Sequence, residues 1–125
     1  MIALALALAG LPLAVPGPAA SDAEYCAFLA PRFADLSKSL PWAVAAPTRI
    51  DAIAIDCPLR TISYRKFVAA PLGDTGEWTR EDIQLDWDEF VCGKDLYGDM
   101  ARRGWRFTQT VTFESGERVT QDARC

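Results

Sequence analysis

The sequence predicts an α+β domain in which two units, each a helix followed by a β-hairpin, form a four-stranded antiparallel sheet with helices on one face. Two observations predict this fold. Apolar residues recur at helical spacing ahead of two separate stretches of alternating, strand-like sequence. Four widely separated cysteines can staple a small domain by disulfides. The two units, residues 21–68 and 79–125, indicate an internal duplication within a single domain that spans residues 21–125.

Residues 1–20 have the composition of a signal peptide. They contain no charged side chain, run apolar from Ile2 to Leu11, and end in prolines and small residues. The apolar run is too short for a transmembrane helix, which needs about 20 residues. We therefore expect export to the periplasm or the extracellular space, cleavage near Ala20, a mature chain that begins near Ser21, and no transmembrane segment after the leader is removed.

The composition of the chain restricts its chemistry. It carries 13 basic and 17 acidic side chains, a net charge of −4, and no histidine. An acidic chain without an extended basic stripe is not expected to bind nucleic acid. Zinc sites use closely spaced cysteine and histidine ligands, so neither a metal nor another cofactor is expected. Without histidine, no Ser-His-Asp or Cys-His catalytic arrangement can form.

The cysteines of an exported chain predict two disulfides. They are Cys26, Cys57, Cys92 and Cys125. A helix followed by a returning strand brings the tip of the first hairpin to the start of the first helix, which favours Cys26 with Cys57 and, by elimination, Cys92 with Cys125. The second bond requires the last residues to fold back, or the helix to break near Gly93 or Gly98. The alternative pairing joins Cys26 to Cys92 and Cys57 to Cys125.

The first unit begins with an amphipathic helix capped by Ser21 or Asp22. Its apolar residues recur every three or four positions: Tyr25, Phe28, Leu29, Phe33, Leu36 and Leu40. Pro31 is expected to kink or restart this helix.

The first hairpin is expected to turn at residues 57–60, with Pro58 in a favoured second position. A four-residue loop here has a definite register. It pairs Ile55 with Ile62, Ile53 with Tyr64 and Asp51 with Lys66.

The second unit is expected to contain a helix from about Asp88 to Arg103, followed by Gly104 as its C-cap. Gly93 and Gly98 weaken this interpretation, because glycine destabilises a helix interior. Residues 79–87 are ambiguous. Thr79 resembles the start of a capping box, whereas the apolar residues after it alternate as they do in a strand. The helix therefore begins near Thr79 or near Asp88.

The last hairpin is the clearest element. A three-residue loop, Glu114-Ser115-Gly116, places Val111 opposite Val119 and Phe107 opposite Ala123. A two-residue Ser-Gly loop would split the apolar face, so side-chain pairing selects the longer loop.

The tripeptide Asp74-Thr75-Gly76 is the one that carries the catalytic carboxylate of aspartic proteases. Those enzymes need two carboxylates that share a proton, and this chain has a single copy flanked by Gly73 and Glu77. Glycine, aspartate and threonine are also ordinary turn residues. We therefore interpret the tripeptide as a loop and assign no catalytic residue.

Surface recognition is the remaining function. The stretch "ARRGWRF" clusters Arg102, Arg103, Trp105 and Arg106, and arginine with tryptophan is enriched at binding hot spots. In the alternative interpretation the arginines offset a helix dipole and Trp105 lies in the core. We predict a non-enzymatic exported module that binds or inhibits another envelope or secreted protein, with these four as binding residues. A small carboxylate-type hydrolase and a structural accessory protein of the envelope are the alternatives.

The loop interpretation makes a direct prediction. Asp74→Asn should change the free energy of unfolding by no more than about 0.5 kcal/mol. It should change any biological activity by no more than about twofold. Urea denaturation and a peptidase assay on the exported protein measure both. Loss of activity with an unchanged unfolding curve would restore the protease hypothesis.

Overall fold

The structure is a computed structural model that describes residues 16–17, 19–73 and 78–125. Most of the leader and the Asp74-Thr75-Gly76 tripeptide lie outside the described residues. The signal peptide, the loop interpretation and the domain boundaries therefore stay predictions.

The described residues form three helices and five strands. In chain order they are α1 Asp22–Ser37, β1 Trp42–Ala45, β2 Thr48–Asp56, β3 Thr61–Val68, α2 Arg80–Cys92, α3 Asp95–Arg102, β4 Arg106–Phe113 and β5 Arg118–Asp122. The strands make one sheet in the order β1-β2-β3-β4-β5. Strands β3 and β4 run parallel, and the other neighbours run antiparallel. None of these helices has the length and apolarity to cross a membrane.

The α+β class is confirmed, but the four-stranded antiparallel sheet is wrong in two respects. Strand β1, which the sequence did not predict, is only four residues long and lies between Pro41 and Pro47. Prolines are tolerated at the ends of an edge strand, where they mask the strand pattern. Strands β3 and β4 are parallel because α2 and α3 return the chain before it re-enters the sheet, and such crossovers join parallel strands.

The first hairpin has most of its predicted register. Ile55 lies opposite Ile62 and Ile53 lies opposite Tyr64, as predicted. The predicted pairing of Asp51 with Lys66 is wrong, because a bulge between residues 50 and 52 places Ile50 opposite Lys66. A bulge adds one unpaired residue to a strand, which periodicity alone does not reveal.

The last hairpin is confirmed in detail. Val111 lies opposite Val119, and the Ala123 amide donates to the Phe107 carbonyl at 2.8 Å. Gly116 has φ of 90°, the left-handed position that the three-residue loop requires.

Helix α1 starts with a capping box between Ser21 and Glu24, and Ser21 is one of the two caps that the sequence predicts. It buries Tyr25, Leu29 and Phe33 against the sheet. Pro31 lies inside α1 and does not restart it. The tertiary packing of this apolar face outweighs the hydrogen bond that proline removes.

The predicted single helix from Asp88 to Arg103 is wrong. Helix α2 begins after Thr79, whose hydroxyl accepts from the Asp82 amide at 3.1 Å, and it ends at Cys92. Gly93 follows as the C-cap and α3 starts at Asp95. The helix therefore breaks at one of the glycines that made the prediction ambiguous.

Both favoured disulfides are confirmed. Cys26 and Cys57 have Cα atoms 6.0 Å apart, and Cys92 and Cys125 have Cα atoms 5.5 Å apart. The first bond ties the tip of the first hairpin to α1. The second ties the end of the chain to the last residue of α2, which the break after that residue makes accessible.

The helices cover one face of the sheet and form the core with it. The Trp87 indole N–H of α2 donates to the Phe107 carbonyl at 3.0 Å, and Trp87 is 1% exposed. Along β4, alternate residues from Phe107 to Phe113 are buried, and the residues between them are exposed or half-buried. The opposite face of the sheet is thus open to solvent.

The close contact between α2 and α3 predicts that Gly98→Ala changes stability in the direction opposite to the usual one. Ala in place of Gly in a helix normally stabilises by about 0.5–1 kcal/mol. At Gly98, a new Cβ would lie 2.8 Å from the Cys92 carbonyl oxygen. Gly98→Ala should therefore destabilise the domain, by about 1–3 kcal/mol as in other overpacked sites, in urea unfolding.

Ala101→Gly in the same helix is the control. It should cost about 0.5–1 kcal/mol through helix propensity, plus a small loss of packing because the Ala101 methyl group contacts the core cluster. A gain in stability for Gly98→Ala would contradict the close approach of the two helices.

Candidate functional site: a half-covered strip beside the helices

Two of the predicted binding residues turn inward. Trp105 is 3% exposed, and its indole N–H donates to Asp22 Oδ1 at 3.0 Å. The Arg103 guanidinium lies 4.7 Å from the centroid of the Tyr25 ring and donates to the Ala20 carbonyl. These side chains join the start of α1 to the end of α3.

The other two predicted residues face solvent. Arg106 is exposed and pairs with Asp122 at 3.1 Å on the open face of the sheet. Arg102 is exposed at the end of α3. The four residues therefore do not form one continuous surface, and a binding role for the two exposed arginines stays a prediction.

A different set of residues leaves apolar surface half-covered beside the helices. Trp42 lies opposite Ile50, and Ile50 lies opposite Lys66. Residues directly opposite in a sheet share a face. All three side chains are half-buried, whereas Ile53 and Tyr64 on the same face are buried. The helices thus cover this face incompletely near β1.

Side chains from two helices border this part of the sheet. Leu36 in α1 and Leu40 just after it are half-buried and pack against the core cluster. The Ser37 hydroxyl approaches the Ile53 carbonyl at 3.5 Å, which places the end of α1 over β2. On the other side Phe90 of α2 is 37% exposed. We call the resulting surface the helix-side strip. It consists of Leu36, Leu40, Trp42, Ile50, Lys66 and Phe90.

Lys66 gives the strip a charged centre. Its ammonium donates to Gln109 Oε1 at 2.9 Å. It lies 4.7 Å from the centroid of the Trp87 ring and 5.9 Å from that of Phe90. Burial lowers the pKa of Lys66 from 10.5 to about 8, although the Asp86 carboxylate acts in the opposite direction. The aromatic rings compensate only in part for the hydration that the ammonium loses, so burial of the charged Lys66 costs free energy.

Buried polar groups fix the position of Lys66. Gln109 is 2% exposed, and its amide donates to the Ile83 carbonyl at 3.2 Å and to Gln121 Oε1 at 2.9 Å. The Tyr64 and Tyr97 hydroxyls lie 3.1 Å apart, and burial raises the pKa of both. A satisfied network of this kind is rigid.

Sequence reasoning missed the strip. One feature of the sequence could have indicated it: Lys66 occupies a core-facing position of an alternating strand. The predicted pairing with Asp51 accounted for this lysine as one member of a charged pair.

The described residues offer little to the hydrolase alternative. A cleft of about 560 Å³ is lined by residues that include Glu81 and Glu117. Both glutamates are exposed, and Glu81 pairs with Arg124 at 3.7 Å. Catalytic carboxylate pairs need different environments, usually with one group buried. Among the described residues, no group of three or more cysteine, aspartate and glutamate side chains could hold a metal ion.

Comparison with known proteins shows the fold but not a family. No protein-family model matches the sequence, and no curated protein matches it. The pilotin EpsS of the Vibrio vulnificus type 2 secretion system aligns with a TM-score of 0.62 and 10% identity, over 82% of this chain and 89% of that one.

Two further solved structures share the fold. A candidate secreted protein of Pseudomonas aeruginosa has a TM-score of 0.61 and 16% identity, over 81% of this chain and 89% of that one. The type II secretion pilotin AspS of Vibrio cholerae has a TM-score of 0.54 and 15% identity, over 74% of this chain and 82% of that one. At these identities the likeness establishes a common fold.

The lowered pKa of Lys66 predicts a pH dependence. The folded pKa of about 8 lies below the ordinary 10.5, so the unfolded chain binds more protons between these values and stability rises with pH there. From pH 7 to pH 9.5 the wild type should gain on the order of 2 kcal/mol relative to Lys66→Met. Urea unfolding at both pH values measures this difference.

Comparison with Lys66→Met cancels the contribution of the tyrosines, which both proteins share. Equal pH dependence in the two proteins would show that Lys66 is not desolvated.

Proposed function

We propose that this chain is a non-enzymatic, exported module that binds another envelope or secreted protein, in an accessory role like that of the type 2 secretion pilotins whose fold it shares. The observation that carries the proposal is the helix-side strip. It is an apolar surface with a charged centre, left half-covered beside a well-packed core.

The strip favours a particular kind of partner surface. An ammonium has three N–H donors, and Gln109 is the acceptor that the described residues supply to Lys66. A partner that covered the strip with apolar atoms alone would desolvate this charge further without compensation. The complementary surface is therefore an apolar segment that places an acidic or carbonyl oxygen next to Lys66.

The arrangement supports binding more than catalysis. The charged and polar groups around Lys66 are already bonded to one another, as a recognition surface requires. The exposed glutamates of the cleft that contains Glu81 and Glu117 have no buried partner among the residues that line it. Such a surface would serve an inhibitor, whose partner loses activity when bound, or a structural accessory protein of the envelope, whose partner is held in place.

The exposed arginines form a second, smaller candidate surface. Arg102 and Arg106 lie on either side of the turn after α3, and arginine is common at binding hot spots. We propose them as secondary contacts, because Arg106 already has Asp122 as its partner.

Capture from an envelope extract with the tagged, exported chain tests the proposal. Ile50→Glu and Phe90→Glu, on β2 and α2, should each reduce recovery of the main bound protein about tenfold or more, since each places a charge on the apolar strip. Quantitative mass spectrometry of the eluates provides the measurement.

Ala54→Glu is the matched control, because Ala54 is exposed on the same strand as Ile50 but faces away from the helices. It should leave recovery unchanged, and circular dichroism should show all variants folded. If Ala54→Glu or Arg102→Glu abolishes capture and the strip variants do not, the binding surface lies elsewhere on the domain.

A further inference from the structure

Residues ahead of α1 are packed into the domain. Ala20 is 8% exposed and belongs to the main core cluster. Its carbonyl accepts a hydrogen bond from Arg103 of the α3–β4 turn. The Gly17 carbonyl accepts from the Tyr25 hydroxyl at 3.2 Å and from the Ala20 amide at 3.0 Å. Residues expected to leave with the signal peptide are thus bonded to the folded body.

Arg103 depends on Ala20. Its Nη2 donates to the Ala20 carbonyl, and its Nη1 is buried with no hydrogen-bond partner within the described chain. The guanidinium remains charged at any ordinary pH. Loss of Ala20 would leave a partly buried cation against the ring of Tyr25, without the carbonyl acceptor that Ala20 supplies.

The sequence offers a cleavage site that keeps Ala20. A leader ends in a pattern of small residues at the last and third-last positions. Gly17-Pro18-Ala19 fits this pattern, whereas Pro18-Ala19-Ala20 begins with a proline. A cut after Ala19 satisfies both the leader pattern and the packing of the domain.

We propose that the leader is removed by hydrolysis of the Ala19–Ala20 peptide bond, so that the mature domain begins at Ala20. Water adds across this bond, leaving a carboxylate on Ala19 of the leader and an α-amino group, protonated at neutral pH, on Ala20. The cut keeps the carbonyl that Arg103 uses and removes the Gly17 carbonyl.

The new α-ammonium of Ala20 would lie near the Tyr25 hydroxyl, which is bonded to Asp99. In the uncut chain the Gly17 oxygen bridges the Ala20 nitrogen and the Tyr25 hydroxyl. The single Tyr25 O–H is shared between the Gly17 carbonyl and Asp99 Oδ2. Once Gly17 has gone, the hydroxyl donates to Asp99 alone, and its oxygen can accept a hydrogen bond from a new donor. The α-ammonium can then donate to the Tyr25 oxygen, which itself donates to the Asp99 carboxylate. Asp99 thus supplies a negative charge near the new cation.

The first test is the mass and N-terminal sequence of the exported protein. A chain that begins at Ala20 supports the proposal. A chain that begins at Ser21, or at any residue before Ala20, overturns it. This result is independent of whether the domain binds a partner.

The second test compares chains that begin at Ala20 and at Ser21, each released from a cleavable fusion. The Ser21 chain should melt lower by about 4 °C or more. The gap should shrink in Arg103→Met, which removes the need for the Ala20 carbonyl, and in Asp99→Asn, which removes the counter-charge of the α-ammonium. Equal melting temperatures for the two starts, or a gap that neither substitution changes, would refute the assignment.

Discussion

The rest of the structure depends on one constraint, the burial of a single face of a five-stranded sheet under three helices. Trp87 anchors this layer, because its ring is buried and its indole N–H bonds to the β4 backbone. Since α2 and α3 must lie on the same face as α1, the chain re-enters the sheet parallel to β3. The Cys26–Cys57 disulfide joins α1 to the turn between β2 and β3, and the Cys92–Cys125 disulfide joins α2 to the residues after β5. Coverage is least complete at the β1 edge.

This incomplete coverage links the fold to its proposed function. A domain of this size has little apolar surface to spare for its own stability, yet the helix-side strip leaves some of it half-exposed around Lys66. The lysine is bonded to Gln109, which is itself satisfied by backbone and side-chain partners. A rigid charge within an apolar surface gives orientation to a bound partner as well as affinity.

The arginine and tryptophan cluster shows that a composition typical of binding sites can be used for packing within the chain. Trp105 and Arg103 hold the segment before α1 against α3, through Asp22 and Ala20. Their composition is that of a binding hot spot, but their burial makes them part of the intramolecular packing. Side chains of binding-site character thus fix Ala20 and Asp22 within the same chain.

Local pattern determined much of this protein. Side-chain alternation and turn chemistry specified both hairpin registers near their loops, and chain direction favoured the observed disulfides. The sequence offered Thr79 and Asp88 as alternative starts of the second helix, and the structure selected Thr79. Tertiary structure alone decided the parallel pairing of β3 with β4, the bulge at Asp51 and the strand β1, and it selected Gly93 from the two glycines at which the sequence allowed the helix to break. It also decided which arginines face solvent, and it left Leu36, Ile50 and Phe90 only partly covered on the helix side of the sheet. The physical reason is that these features depend on contacts between elements far apart in the chain, whose energies outweigh local propensity and leave no period in the sequence.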